Sequence, residues 1–306
     1  MNRRHEVADT RIGWIGLGRM GAPMATNVLA AGLPLSVYNR TVEKAAPVVA
    51  KGAILAQSVA EVGHNSDVVF SMIQDDLALR DITLRPGGLL ESMAPRSMLV
   101  DMSTVSPRAS REVAAIARDR SIEYLRAPVS GSTVNAEAAI LTILASGAKE
   151  AFDRACPLLE RIGRNIFYVG DTEQARYLKL ALNIIVGATA SLIAEGLVLG
   201  EKGGVDWNTM IDIMKVSAIG SPLVNYKADA LKRRDFTPAF TATQIAKDFD
   251  IALDVAKEVQ APLQITSLVR QHFTAMQSSG RSEWDLFGYV DLLEEIAGLK
   301  HSQTTN

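Results

Sequence analysis

The chain holds a single cysteine, Cys156, among 306 residues. One cysteine excludes an intramolecular disulfide and any cysteine-built metal cluster. Histidine is almost as scarce. His5, His64, His272 and His301 lie far apart and offer no metal-ligand spacing. The formal net charge is only -2, so no basic excess argues for nucleic acid or an anionic membrane as partner. Internal repeats and low-complexity segments are also missing. The first ten residues, MNRRHEVADT, are polar and lack the pattern of a secretory leader, which leads us to expect a cytoplasmic protein. What remains is 48% apolar and 22% charged, the profile of a soluble globular chain with length for about two domains.

The most apolar stretch is YLKLALNIIVGATASLIA, residues 177–194. It is short for a membrane span and is interrupted by Lys179 and Asn183. On a helix these two side chains stack one turn apart on one face. Lysine is almost never fully buried unless it is paired or used. A buried ammonium is costly, or it shifts its pKa and discharges. The plain alternative is that Lys179 snorkels to solvent over apolar neighbours. The sharper reading makes this helix a wall between two domains, with Lys179 an acid–base group facing a bound substrate.

The first half of the chain alternates short apolar runs with helical patterns, as a doubly wound α/β sheet does. Residues 12–15 read as a buried strand, followed by Gly16-Leu17-Gly18-Arg19-Met20-Gly21 and a helix over 22–31. A GxGxxG that follows a strand and opens a helix is the context for a dinucleotide pyrophosphate. A second strand, 35–38, leads into Asn39-Arg40-Thr41, where the adenosine ribose would lie. No acidic residue stands at 38–41 to take a 2′-hydroxyl. Arg40 and Thr41 instead suit a 2′-phosphate, so NADP is expected over NAD. Helices over 43–51, 58–63 and 75–83 and strands over 67–73 and 97–102 continue the pattern. Met72, Ile73 and Thr104 fall at strand ends, where such sheets bind ligands. A helix over 106–118 starts at a Ser106-Pro107 cap. After a strand at 122–125, Ala127-Pro128-Val129-Ser130-Gly131-Ser132 offers open backbone N–H groups, a ready anion cradle. Strands at 140–145 and 166–169 flank a helix at 150–162.

Beyond Gly170 the alternation stops. A helix over 173–202 would run about 45 Å at 1.5 Å per residue. Further helices follow over 206–216, 221–232, 243–258, 263–278 and 291–297. The expected architecture is thus an N-terminal Rossmann doubly wound parallel sheet, residues 11–170, and an all-helical C-terminal domain, residues 171–300, joined by a long interdomain helix. Lys247-Asp248 places charge in an amphipathic helix, where exposure to solvent is an equally good reading.

Five segments in order resemble the β-hydroxyacid dehydrogenase family, which includes 3-hydroxyisobutyrate dehydrogenases and glyoxylate/succinic semialdehyde reductases. They are GLGRMGAPMATN (16–27), DMSTVSP (101–107), APVSGSTVNA (127–136), KLALN (179–183) and Lys247-Asp248. The resemblance spans about residues 11–298. It implies Thr104 at the nicotinamide cofactor, Ser130, Gly131 and Ser132 at the substrate carboxylate, Lys179 as the catalytic acid–base with Asn183 beside it, and Lys247 reaching the cofactor. It also implies a homodimer or homotetramer. Three departures stand out: Ser132 and Asn135 replace glycines of the carboxylate loop, and Glu173-Gln174-Ala175 replaces a GxG before the lysine.

The reaction so implied is hydride transfer between NADP(H) and a small 3-hydroxy or 2-hydroxy acid or its semialdehyde or keto acid. Two rivals keep the fold. An imine reductase would usually carry Asp or Tyr in place of Lys179. A non-catalytic NADP-binding scaffold would not need Lys179, Asn183 and Lys247 intact. Arg126, just before the carboxylate loop, could serve a second substrate carboxylate or face solvent.

Overall fold

The computed structural model describes residues 10–299. The first half alternates strand and helix: β1 (Ile12–Ile15), α1 (Gly21–Ala30), β2 (Leu35–Tyr38), α2 (Ala46–Val49), β3 (Ile54–Leu55), α3 (Val59–His64), β4 (Val68–Ser71), α4 (Asp76–Thr83), α5 (Leu89–Ser92), β5 (Met98–Asp101), α6 (Pro107–Asp119), β6 (Glu123–Arg126), β7 (Val129–Ser130), α7 (Thr133–Glu137), β8 (Leu141–Ser146), α8 (Lys149–Leu159) and β9 (Gly163–Gly170). Helices only follow: α9 (Gln174–Lys202), α10 (Trp207–Val216), α11 (Pro222–Arg233), α12 (Ala242–Val259), α13 (Gln264–Ser278) and α14 (Tyr289–Ile296). This is a Rossmann domain followed by a helical one, with α9 continuous through both.

The sheet order is β3-β2-β1-β4-β5-β6-β8-β7, with β9 added on β8. It is parallel from β3 through β6. This is the doubly wound parallel sheet expected from the sequence, with one antiparallel element added. β8 runs antiparallel to β6 and β7, and β9 then pairs parallel to β8. The reversal at β6–β8 turns the chain through residues 127–140, which lets the candidate carboxylate loop form at the strand ends.

β1, β4 and β5 are buried along their whole length. This is what an internal parallel strand covered by helices on both faces requires. On one face Trp14 stacks on Phe70 at 5.2 Å and packs with Met24, Val28 and Leu125. On the other, Ile15, Val69 and Leu99 meet Val62, Leu79 and Val113. Side-chain caps open several helices: Ser58, Asp75 and Ser106 each accept from the N–H three residues on. The helix expected over 43–51 is instead a 3-10 turn, Val42–Ala45, followed by the single turn α2 with Pro47 in it. Proline has no N–H to continue an α-helical ladder there.

The first compact unit runs through Lys179, so the division falls inside α9. In the second unit Ala190, Ile193, Ala194 and Leu197 of α9 pack with Ile245, Phe249, Phe273 and Val290. By length and composition α9 could cross a membrane. One side of it, Ala190, Ile193, Ala194 and Leu197, is part of this core, while Ile185, Leu192 and Leu199 stay exposed.

His272 stacks on Tyr289 in the second unit, with ring centroids 4.5 Å apart. Burial lowers its pKa, and Glu195 pulls weakly the other way. The unfolded chain, with an ordinary histidine near 6.5, therefore binds the proton more readily than the folded one. Stability contributed by neutral His272 is present above that value and is lost as pH falls through the depressed folded pKa. Thermal unfolding between pH 8 and 5 should show a loss below about pH 6.5 that is reduced in His272→Phe, which keeps the stack. Parallel pH dependences for the two proteins would exclude His272 as the titrating group.

Candidate active site

β2, β1, β4 and β5 are neighbours and run parallel, so their C-terminal ends form one edge. The glycine loop follows β1, Asn39-Arg40-Thr41 follows β2, Met72 and Ile73 follow β4, and Thr104 lies three residues beyond β5. Gly16 has φ +95, and a Cβ there would lie 2.2 Å from the Met72 carbonyl oxygen. A Cβ on Gly21 would lie 2.0 Å from the Gly16 carbonyl oxygen. These two glycines are needed by the fold itself.

Gly18 differs. It is exposed, and a Cβ there would meet nothing within 4 Å. The adjoining N-terminus of α1 has no side-chain cap and no acidic residue in its first turn. Open N–H groups at a helix start attract an anion, and a bare glycine lets its oxygens approach. These residues therefore fit a dinucleotide pyrophosphate. Asn39 fastens the loop from the side. Its Oδ1 accepts from the Leu17 N–H at 2.8 Å, and its Nδ2 donates to the Thr41 carbonyl at 2.7 Å. Arg19, Arg40 and Thr41 are exposed, and Met20 is half-buried. The Ile73 N–H donates to Ser103 Oγ at 2.9 Å, joining the ends of β4 and β5 beside Thr104.

Ser130 ends β7, and Gly131 adopts φ +141. Ser132 caps the short helix α7, and its donors are engaged: its N–H at 2.8 Å and its Oγ at 2.9 Å both donate to Asn135 Oδ1. A carboxylate reaching Ser132 has to displace that carboxamide oxygen. Ser132 and Asn135, the two departures in this loop, thus form one mutually bonded pair. Asn27 of α1 donates to the Ala136 carbonyl at 2.7 Å, tying the helix after the glycine loop to the carboxylate loop.

Lys179 lies on α9, half-buried, three residues after Arg176. Arg176 is almost completely buried, at 1% exposure. It donates to Asp101, to the Ser103 carbonyl at 2.6 Å and to the Tyr124 hydroxyl at 3.0 Å. Asp101 also accepts from Ser71 Oγ at 2.7 Å and Ser103 Oγ at 2.6 Å. Burial works against the Arg176 charge, but Asp101 overrides it and the pKa stays raised. Burial pushes the Tyr124 phenol up to about 12, so it remains a neutral donor. Arg126 is buried as well. It pairs with Glu173, donates to Ser110 Oγ at 3.2 Å and lies 4.6 Å from the Tyr124 ring centre. The solvent-facing alternative for Arg126 is therefore corrected: the side chain is buried and its charge is paired with Glu173.

Asn183, one turn after Lys179 on α9, is buried, and its Nδ2 donates to Asp248 of α12. Lys247 approaches the other oxygen of Asp248 at 3.0 Å. Sequence reading singled out Lys247, Asn183 and Lys179 but passed over Asp101, Arg176 and the role of Asp248. The available signal was charge in apolar surroundings: Asp101 ends the run SMLVD, and Arg176 stands just before the apolar stretch.

A Rossmann sheet with an open pyrophosphate cradle, followed by a helical domain, is the architecture of an NAD(P)-binding protein. Residues 11–170 match the NAD binding domain of 6-phosphogluconate dehydrogenase, and residues 174–293 match the NAD-binding domain of NADP-dependent 3-hydroxyisobutyrate dehydrogenase. A 2-(hydroxymethyl)glutarate dehydrogenase from Eubacterium barkeri is 33% identical over 95% of this chain and 97% of its own. An NAD-dependent L-serine dehydrogenase from Pseudomonas aeruginosa is 33% identical over 94% of this chain and 99% of its own. The crystal structure of a 3-hydroxyisobutyrate dehydrogenase from Salmonella typhimurium superimposes with a TM-score of 0.85 at 26% identity, covering 93% of this chain and 100% of the other. The chain belongs to the β-hydroxyacid dehydrogenase family and is an NAD(P)-dependent dehydrogenase or reductase of hydroxy acids.

The glycines predict opposite outcomes. Gly18→Ala should leave the thermal midpoint nearly unchanged, since nothing in the protein meets the added methyl. It should weaken nicotinamide cofactor binding, read by fluorescence titration. Gly21→Ala should lower the midpoint, because its Cβ has no room beside the Gly16 carbonyl. Unchanged cofactor affinity in Gly18→Ala would remove the pyrophosphate from this loop.

Proposed function

We propose that this chain is an NADP(H)-linked enzyme interconverting a small 3-hydroxy or 2-hydroxy acid and its semialdehyde or keto acid, with Lys179 as general acid and base. The observation that carries the reading is the setting of Lys179. It stands in the same compact unit as the glycine loop, Thr104 and Ser130-Gly131-Ser132, on a helix whose first turn is anchored to the sheet by buried ion pairs.

The nicotinamide, when bound, supplies the hydride chemistry. In the reductive direction Lys179 Nζ donates a proton to the substrate oxygen as that oxygen gains negative charge. In the oxidative direction the neutral amine takes the hydroxyl proton. Asn183, one turn further on, would orient the substrate or Lys179, with its own Nδ2 held by Asp248. Ser130 and Gly131 would orient the carboxylate, with Ser132 joining once Asn135 gives way. Gly16, Leu17, Gly18, Arg19 and Met20 would hold the pyrophosphate, and Met72, Ile73 and Thr104 would line the cofactor.

The NADP preference rests on Arg40 and Thr41. Both are exposed at the end of β2, and a guanidinium matches a phosphate bidentately. A family model for an NADP-dependent enzyme agrees with this, while the NAD-dependent serine dehydrogenase relative shows that family membership does not decide it. Self-association through α9 is part of the same reading. Ile185, Leu192 and Leu199 are 61%, 66% and 76% exposed, and their seven-residue spacing makes one apolar stripe.

Cofactor oxidation against a panel of small aldehyde and keto acids tests the proposal, with NADPH and NADH in parallel. Turnover should favour NADPH, and Arg40→Ala should narrow that preference. Lys179→Ala should lower kcat by about 10²- to 10⁴-fold while NADPH still binds. Full turnover in Lys179→Ala would refute the acid–base assignment, and equal use of NADH would refute the reading of Arg40.

A further inference from the structure

We propose that Arg126, Glu173, Arg176 and Asp101 are positioning residues for Lys179: one buried, charge-balanced cluster that fixes the first turn of α9 against the ends of the strands bearing the cofactor and carboxylate loops. The inference rests on the acid–base role given to Lys179 above.

The geometry joins three segments. Asp101 ends β5, three residues before Thr104. Arg126 ends β6, four residues before Ser130. Glu173 and Arg176 flank the start of α9, with Arg176 one turn before Lys179. Residues 173, 176 and 179 recur every three positions and so follow one side of the helix. Two ion pairs then hold two successive points on that side, Glu173 to Arg126 and Arg176 to Asp101. Either pair alone would permit rotation about a single contact. Together they fix both the axial position and the rotation of the turn that leads into Lys179.

The surrounding bonds make the fixation specific. Ser110 Oγ accepts from Nε of Arg126 at 3.2 Å and from Nε of Arg176 at 3.4 Å, so one hydroxyl sets both guanidiniums. Ser146 Oγ donates to the Thr172 carbonyl at 2.7 Å and accepts the Ala175 N–H at 3.2 Å, holding the backbone at the helix start. The cluster contains two guanidiniums and two carboxylates in a space almost closed to water. Such a set is a weak device for stability alone, because well-packed apolar side chains often do as well. It is a strong device for register, since a shifted helix would leave a buried charge unpaired. The Glu173-Gln174-Ala175 segment, which departs from the GxG of the resemblance, is where this tether enters the helix.

Two variants test it. Arg126→Met with Glu173→Met in one chain removes a tether without leaving an orphan charge. Arg176→Lys keeps the charge but loses the fork that spans Asp101, Ser103 and Tyr124. In each, NADPH affinity should stay within about twofold, while kcat falls between about 10- and 100-fold, the cost of misplacing a catalytic group by an ångström or less. KM for the carbonyl acid should change less than kcat, and the pH profile of kcat should shift, because the surroundings of Lys179 move with the turn. A purely structural cluster would lower the unfolding midpoint and leave kcat per folded molecule and its pH profile unchanged, and that result overturns the proposal. The conservative Arg176→Lys carries the test if the double variant does not fold. Wild-type turnover that Lys179→Ala abolishes but neither variant alters would sink the tether and spare the acid–base reading. Turnover indifferent to Lys179→Ala would sink that reading first.

Discussion

The buried pairing of Arg176 with Asp101 is the constraint on which the rest of the arrangement depends. Asp101 closes a fully buried strand in the middle of the sheet, and five donors converge on it: two serine hydroxyls, a tyrosine hydroxyl, a backbone N–H and a guanidinium. Removing one member of a buried pair leaves an uncompensated charge, at about 3–5 kcal/mol. That penalty makes the start of α9 part of the Rossmann unit, although α9 goes on to build the helical core. One helix therefore carries Lys179 where it leaves the first unit and Asn183 where it enters the second.

The glycine loop shows the complementary use of empty space. Gly16 and Gly21 are filled against the protein's own carbonyls, whereas Gly18 stands open. Asn39 holds the loop with a side chain rather than with the backbone ladder. The loop is thus shaped before any ligand arrives, and little ordering remains to be done on binding. Similar economy appears at Ser132, whose donors rest on Asn135 until a stronger acceptor displaces it.

Much of this was legible in the sequence because it is local. Residues 12–15 and 35–38 are the observed β1 and β2, the Ser106 cap stands where expected, and the GxGxxG opens a helix. The segments that escaped, α5, β7 and α7, are two to five residues long and carry no period. The antiparallel turn at β6–β8 escaped because register between strands leaves no mark on either one alone. Arg126 escaped for a related reason. Its partner Glu173 is 47 residues away, and nothing in the local pattern of either residue points to the other. Buried ionic networks are long-range by construction, so their members look like surface charges until the fold brings them together.

A crystal structure with NADPH and an unreactive analogue of the carbonyl acid tests the central claim most directly. Lys179 Nζ should lie within about 2.6–3.2 Å of the analogue's carbonyl or hydroxyl oxygen. In the same structure Arg176 should remain on Asp101 and Arg126 on Glu173. Lys179 turned away from that oxygen, with another side chain in hydrogen-bond reach of it, would contradict the account.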